Sequence, residues 1–159
     1  DYEKWIVEDV VGCVTTEVPG LGDKSDVFIA GLSMGGYAAL RLGAKYAHRF
    51  TGISAHSAVT RFKDIERLVT RRPLPFHLDP PQEWDILYWM AENREQLPPL
   101  RFDCGLDDGL LAGNRELHIS LDGLGVPHSY EEFPGAHKWS YWAEHLRETL
   151  SFFGNHTPR

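Results

Sequence analysis

Residues that together support nucleophilic acyl transfer occur in this sequence in a characteristic order. Ser33 stands at the centre of GLSMG, a G-x-S-x-G motif at residues 31–35. A serine hydroxyl is a poor nucleophile alone, and it needs a base whose tautomer an acid fixes. Two adjacent carboxylates, Asp107 and Asp108, and then an imidazole, His137, follow Ser33 along the chain. The order predicts a serine–carboxylate–histidine triad, in which either aspartate could serve as the acid.

The sequence around Ser33 predicts the turn that would expose its hydroxyl. VFIAGL, residues 27–32, is a continuously apolar run typical of a strand buried on both faces, and a helix is predicted over residues 34–46. A strand that turns directly into a helix would strain Ser33, and a Cβ at Gly31 or Gly35 would clash. The start of the helix would direct the N–H of Met34 at an oxyanion.

The two partner groups follow predicted strands. LRFDCG, residues 100–105, precedes the aspartate pair, and HSYEEF, residues 128–133, precedes PGAH and so His137. Carboxyl ends of parallel strands meet at one edge of a sheet, so we expect these groups beside Ser33. We interpret the other histidines as structural or solvated. His56 is the exception to note, because it ends a predicted strand at the same edge.

The remaining pattern predicts an α/β fold in a single domain over residues 1–154, followed by a tail at 155–159. Between the second and third strands, a proline-rich excursion at residues 59–99 is either a lid-like binding loop or a solvated insertion. Its large apolar residues either line a substrate pocket or simply pack this segment against the rest of the domain. The remaining predicted elements are a helix at 2–14, a strand at 50–58 and helices at 84–94, 110–124 and 139–153, and the candidate pocket residues of the excursion are Leu74, Phe76, Trp84 and Trp89.

Composition excludes several classes of function. The 159 residues are 42% hydrophobic and carry a net charge of −7 without a basic stripe, so nucleic acid and anionic membranes are not expected partners. No apolar run reaches the roughly 18 residues of a membrane span. The two cysteines lack metal-type or disulfide-framework spacing, which favours a reducing, cytoplasmic compartment. The eight histidines form no cluster in the sequence, so neither a metal site nor a cofactor is expected.

Three blocks, IAGLSMGGYAAL, CGLDDGLLAGNRELHISL and PGAHKWSYWAEHL, resemble the "Putative esterase" (esterase D-like) family of α/β-hydrolases, and most of all its tributyrin and cinnamoyl esterases. The resemblance implies an α/β-hydrolase fold and a serine carboxylesterase. It implies Ser33 as nucleophile, His137 as base and Asp108 as acid, since the family's acid follows glycine and two further residues. Gly109 replaces the family's usual aromatic residue. The aromatic residues after His137, Trp139 among them, would wall the substrate site.

The chain departs from the family at its beginning. The family's domain starts with several strands before the nucleophile, and a loop there gives the second oxyanion donor beside Met34. Only the C-terminal half of the fold is therefore expected, and the chain starts with Asp1. We expect a piece of a longer protein, a partner half on another chain, or a homo-oligomer. The expected substrates are short-chain or aryl carboxylic esters, and the alternatives are an acyltransferase, a thioesterase or a non-catalytic fragment.

Overall fold

The computed structural model describes residues 2–22, 24–61, 64–65 and 80–157. The strands of these residues form one sheet in which each strand pairs in parallel with the next. The parallel sheet with crossover connections confirms the predicted α/β class. The strands are β1 (Phe28–Leu32), β2 (Gly52–His56), β3 (Leu100–Gly105) and β4 (Ser129–Phe133).

Helices cover both faces of this sheet. Side chains alternate between faces along a strand, so Ile53 of β2 faces a different layer from Ser54. Within the described ranges the helices are α1 (Tyr2–Lys4), α2 (Val11–Glu17), α3 (Met34–Lys45), α4 (Ile86–Glu92), α5 (Leu111–Gly123) and α6 (Trp139–His156), with a π-helical turn at Trp5–Val10 and 3-10 turns at Ala47–Arg49, Pro81–Trp84 and Arg94–Gln96. None of the helices described combines the length and the apolarity that crossing a bilayer requires.

The apolar core lies between the sheet and the layer of α3, α4 and α5. Leu40, Ile53 and Phe102 are fully buried in it, and Met90 and Leu121 close it from the helix side. β2 and β3 are buried along their whole length because helices cover both of their faces.

β1 differs from the prediction that it is buried on both faces. Ala30 is exposed and the other residues of β1 are only partly buried. β1 is an edge strand of the described sheet, and β2 is its one pairing neighbour there. A continuous apolar run predicts a strand correctly, but its burial depends on what lies beyond the edge.

A buried polar cluster fills the opposite layer, between the sheet and α6. Arg101 donates to Asp103 Oδ2 at 2.7 Å, and the Tyr141 hydroxyl donates to Asp103 Oδ1 at 2.7 Å. His56 Nδ1 lies 2.7 Å from Asp103 Oδ2, and its Nε2 lies 2.7 Å from the Thr149 hydroxyl. Burial acts to raise the pKa of Asp103, but its contacts with His56, Arg101 and Tyr141 outweigh burial and hold that pKa below its usual value. The cluster therefore fastens α6 to β2 and β3.

Two helices are longer than predicted, and the helix predicted at 84–94 is shorter, since α4 lies between two 3-10 turns. The predicted helix at 2–14 continues to Glu17, and its π-helical turn rotates the buried face, so that Val7 is buried while Trp5 and Val10 are exposed. α6 continues through Gly154 to His156, three residues beyond its predicted end. Of the excursion at 59–99, residues 62–63 and 66–79 lie outside the described residues, and these include Leu74 and Phe76.

We predict that Tyr141→Phe destabilises the intact protein by about 1–3 kcal/mol, because Asp103 Oδ1 loses its buried donor. The free energy of unfolding in urea measures the effect. Tyr88→Phe is the matched control, since Tyr88 is exposed. Equal unfolding free energies for the two variants would contradict the role of the Tyr141 hydroxyl.

Candidate active site

Ser33 lies at the turn between β1 and α3 in a backbone conformation that side chains rarely adopt, with φ 54° and ψ −118°. Three backbone hydrogen bonds hold this conformation. Ser33 N–H donates to the carbonyl of His56 at 3.0 Å. The Ser33 carbonyl accepts from the N–H of Tyr37 at 3.1 Å and from that of Val59 at 3.0 Å. The turn thus depends on the end of β2 as well as on its own strand and helix.

The glycines around Ser33 differ in how much space a Cβ would find at each position. A Cβ on Gly31 would lie 2.1 Å from the carbonyl oxygen of Gly35, which is backbone and cannot move aside. A Cβ on Gly36 would lie 2.8 Å from the Cβ of Ala58. A Cβ on Gly35 would meet nothing within 4 Å in the described part of the chain, so the predicted clash at Gly35 is wrong. The close approaches are at Gly31 and Gly36.

The structure brings Ser33, His137 and Asp108 into hydrogen-bonding distance. His137 Nε2 lies 2.9 Å from Ser33 Oγ, and His137 Nδ1 lies 2.8 Å from Asp108 Oδ2. An ionised carboxylate only accepts, so Nδ1 carries the proton in this pair and the Nε2 lone pair faces the serine hydroxyl. The arrangement is that of a nucleophile, its base and the acid that orients the base.

The geometry distinguishes between the two adjacent aspartates. The side chain of Asp108 is fully buried, and its second oxygen accepts the N–H of Leu110 at 2.8 Å. Asp107 is exposed, and its backbone N–H donates to the carbonyl of Gly135 at 2.8 Å. Asp107 therefore fastens the loop that carries His137, while Asp108 contacts the imidazole itself.

The loop that carries His137 packs closely against β3 and α6. A Cβ on Gly105 would lie 2.4 Å from the carbonyl oxygen of Gly135, so only glycine allows this approach. Gly135 has φ +137°, and a Cβ on it would lie 2.7 Å from the ring of Tyr141. Trp142 stands edge-on to the His137 ring, with the ring centroids 4.9 Å apart. These contacts hold an imidazole whose side chain is one-third exposed.

Met34 and the predicted aromatic residues surround the triad unevenly. As the first residue of α3, Met34 has an N–H without an intrahelical acceptor, and its side chain is exposed. Trp84 and Met34 both line a cavity of about 690 Å³, and the Arg41 guanidinium lies over the Trp84 ring. Trp139 is 74% exposed and contacts Trp142 edge-on. Phe76 lies outside the described residues.

Trp89 and His56 are structural. Trp89 packs against the core and donates its ring N–H to the Glu83 carbonyl at 3.1 Å, so it holds the excursion down. His56 is buried in the polar cluster beneath α6. The alternative that the excursion's aromatic residues serve packing therefore applies to Trp89, whereas Trp84 also faces a cavity.

Sequence reasoning missed Thr60 and Arg61. Both line a cavity of about 420 Å³ that His137 and Asp108 also line. Arg61 is held there by Asp64 at 3.0 Å and by Glu116 at 2.6 Å. Both residues follow β2, so the rule that placed the triad at the carboxyl ends of strands could have found them.

A serine at a strand–helix turn, with a carboxylate after β3 and a histidine after β4 of a parallel sheet flanked by helices, is the arrangement that defines the α/β-hydrolase class. Residues 1–153 match the family described as "Putative esterase", and the chain belongs to that family. The sequence resemblance is thereby confirmed.

Individual proteins are similar to this chain in sequence or in structure. An acetyl esterase from Caldicellulosiruptor saccharolyticus is 25% identical over 95% of this chain and 63% of its own length. An S-formylglutathione hydrolase from Staphylococcus aureus superimposes with a TM-score of 0.82 at 25% identity, over 96% of this chain and 63% of that one. A fluorophosphonate-binding serine hydrolase from the same organism gives a TM-score of 0.80 at 26% identity, over 95% and 62%. The chain thus spans less than two thirds of these relatives.

We predict unequal losses of stability for alanine at the two motif glycines. Gly31→Ala should destabilise the intact protein by about 1–3 kcal/mol or more, because its Cβ would overlap the Gly35 carbonyl. Gly35→Ala is the matched control and should unfold near the parent, since its Cβ enters open space. Thermal unfolding measures both variants. A Gly35→Ala variant as unstable as Gly31→Ala would refute this account of the turn.

Proposed function

We propose that the protein is a serine carboxylesterase that hydrolyses its substrate through an acyl–serine intermediate. The observation that carries this proposal is the continuous contact from Ser33 Oγ through the His137 ring to Asp108, at 2.9 and 2.8 Å. Membership of the esterase family and the acetyl esterase relative support it.

The proposed reaction follows from the geometry. Ser33 Oγ attacks the ester carbonyl while His137 Nε2 takes its proton, and the protonated imidazole then gives that proton to the leaving alcohol. Asp108 stabilises the imidazolium through Nδ1–H and remains ionised. Water enters, loses a proton to His137 and attacks the acyl group, and Ser33 recovers its proton as the carboxylic acid leaves. The Met34 N–H stabilises the oxyanion formed at each attack.

We further propose that a polypeptide segment beyond this chain's sequence pairs with the open edge of β1 and completes the oxyanion site. The support is the chain's span of 63% of the acetyl esterase relative and the edge position of β1 in the described sheet. Leu146 and Leu150, one helical turn apart on α6, are exposed apolar side chains that such a segment would also cover.

The proposed substrates are small esters with a short acyl or aryl group. The cavity lined by Met34 and Trp84 has room for such a group beside the nucleophile turn, and the excursion at 59–99 would form one wall. Trp139, exposed two residues after His137, is the proposed contact for the alcohol part. Two free cysteines, Cys13 and Cys104, support a reducing compartment, and we propose a cytoplasmic location.

We predict that Ser33→Ala lowers kcat for 4-nitrophenyl acetate by at least about 10⁴-fold in the intact protein, because the acyl acceptor is lost. Ser120→Ala on α5 is the control and should match the parent. The release of nitrophenolate measures turnover. Comparable rates for Ser33→Ala and the parent would overturn the proposed nucleophile.

We predict that asparagine at the two adjacent aspartates lowers kcat to very different extents. Asp108→Asn should lower kcat by roughly 10⁴-fold, because an amide in place of the carboxylate favours the wrong imidazole tautomer. Asp107→Asn keeps the backbone bond to Gly135 and should stay within about threefold of the parent. The same ester assay compares the two. A larger loss of kcat in Asp107→Asn than in Asp108→Asn would contradict the role of Asp108 as the acid.

A further inference from the structure

A cluster of potential metal ligands lies where the carboxyl end of α5 meets the start of β4. It consists of His118 and Asp122, one helical turn apart on α5, and His128, which directly precedes β4. One ligand atom from each residue lies within 4.8 Å of the other two. No metal site was expected from the sequence, because the eight histidines form no cluster along the chain. His118 and His128 are ten residues apart. The fold brings them together.

The tautomer of His128 leaves a lone pair directed into the cluster. His128 Nδ1 lies 2.8 Å from the carbonyl oxygen of Val126, and a carbonyl only accepts, so Nδ1 carries a proton. In the neutral ring Nε2 is then unprotonated, and it accepts a hydrogen bond from His118 Nδ1 at 2.8 Å. A metal ion bound between these two nitrogens would replace that proton, and His118 would then carry its proton on Nε2, which lies 3.6 Å from Asp122 Oδ2. A histidine whose second nitrogen donates to a backbone carbonyl has the arrangement found in most metal-bound histidines.

Packing fixes both rings in these orientations. The side chain of His128 is only 2% exposed, and its ring stacks on Phe102 with the centroids 5.6 Å apart. The ring of His118 stacks on Tyr130 with the centroids 4.9 Å apart. Asp122 extends from the exposed side, with Oδ1 4.0 Å from His128 Nε2 and Oδ2 3.6 Å from His118 Nε2. A buried, oriented imidazole thus faces an accessible carboxylate and a second imidazole.

We propose that His118, Asp122 and His128 bind one Zn²⁺ ion, with water in the remaining position. Two imidazoles and a carboxylate are a ligand set that zinc prefers. Tetrahedral zinc with Zn–N bonds of 2.0–2.1 Å separates two nitrogens by about 3.3 Å, so the two rings must part by about 0.5 Å. The His118 side chain is 38% exposed and has room for that movement.

The position of this zinc site makes it structural. His128 precedes β4 whereas His137 follows it, so the zinc site and the triad lie at opposite ends of the strand. A metal there would join the last turn of α5 to the start of β4. It would bind the folded chain and not the unfolded one, and so raise the stability of the fold.

Isothermal titration calorimetry of chelator-treated intact protein with Zn²⁺, with native mass spectrometry for stoichiometry, tests this proposal. We expect one ion per chain and a higher thermal midpoint with Zn²⁺. His118→Gln and Asp122→Asn should each weaken Zn²⁺ binding by at least about tenfold, as loss of even an outer-shell partner does. Asp122 is 63% exposed, so its variant keeps the fold if His118→Gln does not.

His48→Gln is the matched control, because His48 is an exposed histidine outside the cluster, and it should bind Zn²⁺ within twofold of the parent. The proposal is overturned if the parent binds no Zn²⁺ one to one, if Asp122→Asn binds as tightly as the parent, or if His48→Gln weakens binding equally. Ester hydrolysis is not the readout, so the result is independent of the proposed esterase function.

Discussion

Ser33 occupies a backbone conformation that costs free energy, and the surrounding structure holds it there. The conformation persists because backbone hydrogen bonds join Ser33 to His56 at the end of β2 and to Val59 beyond it. It also depends on Gly31, which has no Cβ and so lets the Gly35 carbonyl come close. One consequence is that the Ser33 hydroxyl lies at the carboxyl edge of the sheet. Another is that α3 begins at the next residue, so that the Met34 N–H has no acceptor within the helix.

Close backbone packing at a glycine also positions the other two groups of the proposed triad, Asp108 and His137. Gly105 admits the Gly135 carbonyl, which accepts the Asp107 N–H, so the loops after β3 and β4 are joined directly. Tyr141, at the start of α6, is bonded to the buried Asp103 of β3. The Asp108–His137 contact therefore rests on a rigid connection between two adjacent strands and a helix. The proposed triad is thereby held in position by the fold itself.

The sequence predicts the strands, the helices and the order of the chemical groups, because these follow from local periodicity and from the geometry of parallel strands. The placement of His137 beside Ser33 follows from that rule alone. Features that depend on distant chain segments were missed. The exposure of Ala30 depends on what lies beside β1, and the open space at Gly35 depends on the packing of the turn. The choice of Asp108 required family resemblance at first, and its burial supplies the physical reason.

Two groups of residues were not predicted from the sequence, for different reasons. Thr60 and Arg61 face the triad from the excursion, and the His118–Asp122–His128 cluster forms where a helix end meets a strand start. Thr60 and Arg61 follow β2 at the edge of the sheet that carries Ser33, so the strand-end rule applies to them. The cluster instead unites residues ten positions apart through tertiary packing, which periodicity does not encode. Spacing rules detect sites on one helix or at successive strand ends, and they miss sites that join different kinds of element.

The proposed function depends above all on the activation of Ser33 as a nucleophile by His137. Its most direct test is the reaction of the intact protein with a fluorophosphonate, followed by mass mapping of the adduct and measurement of the labelling rate. The account predicts one adduct, on the peptide that contains Ser33, and labelling at least about 10³-fold slower in His137→Gln. An adduct on another residue, or an unchanged labelling rate in His137→Gln, would contradict it.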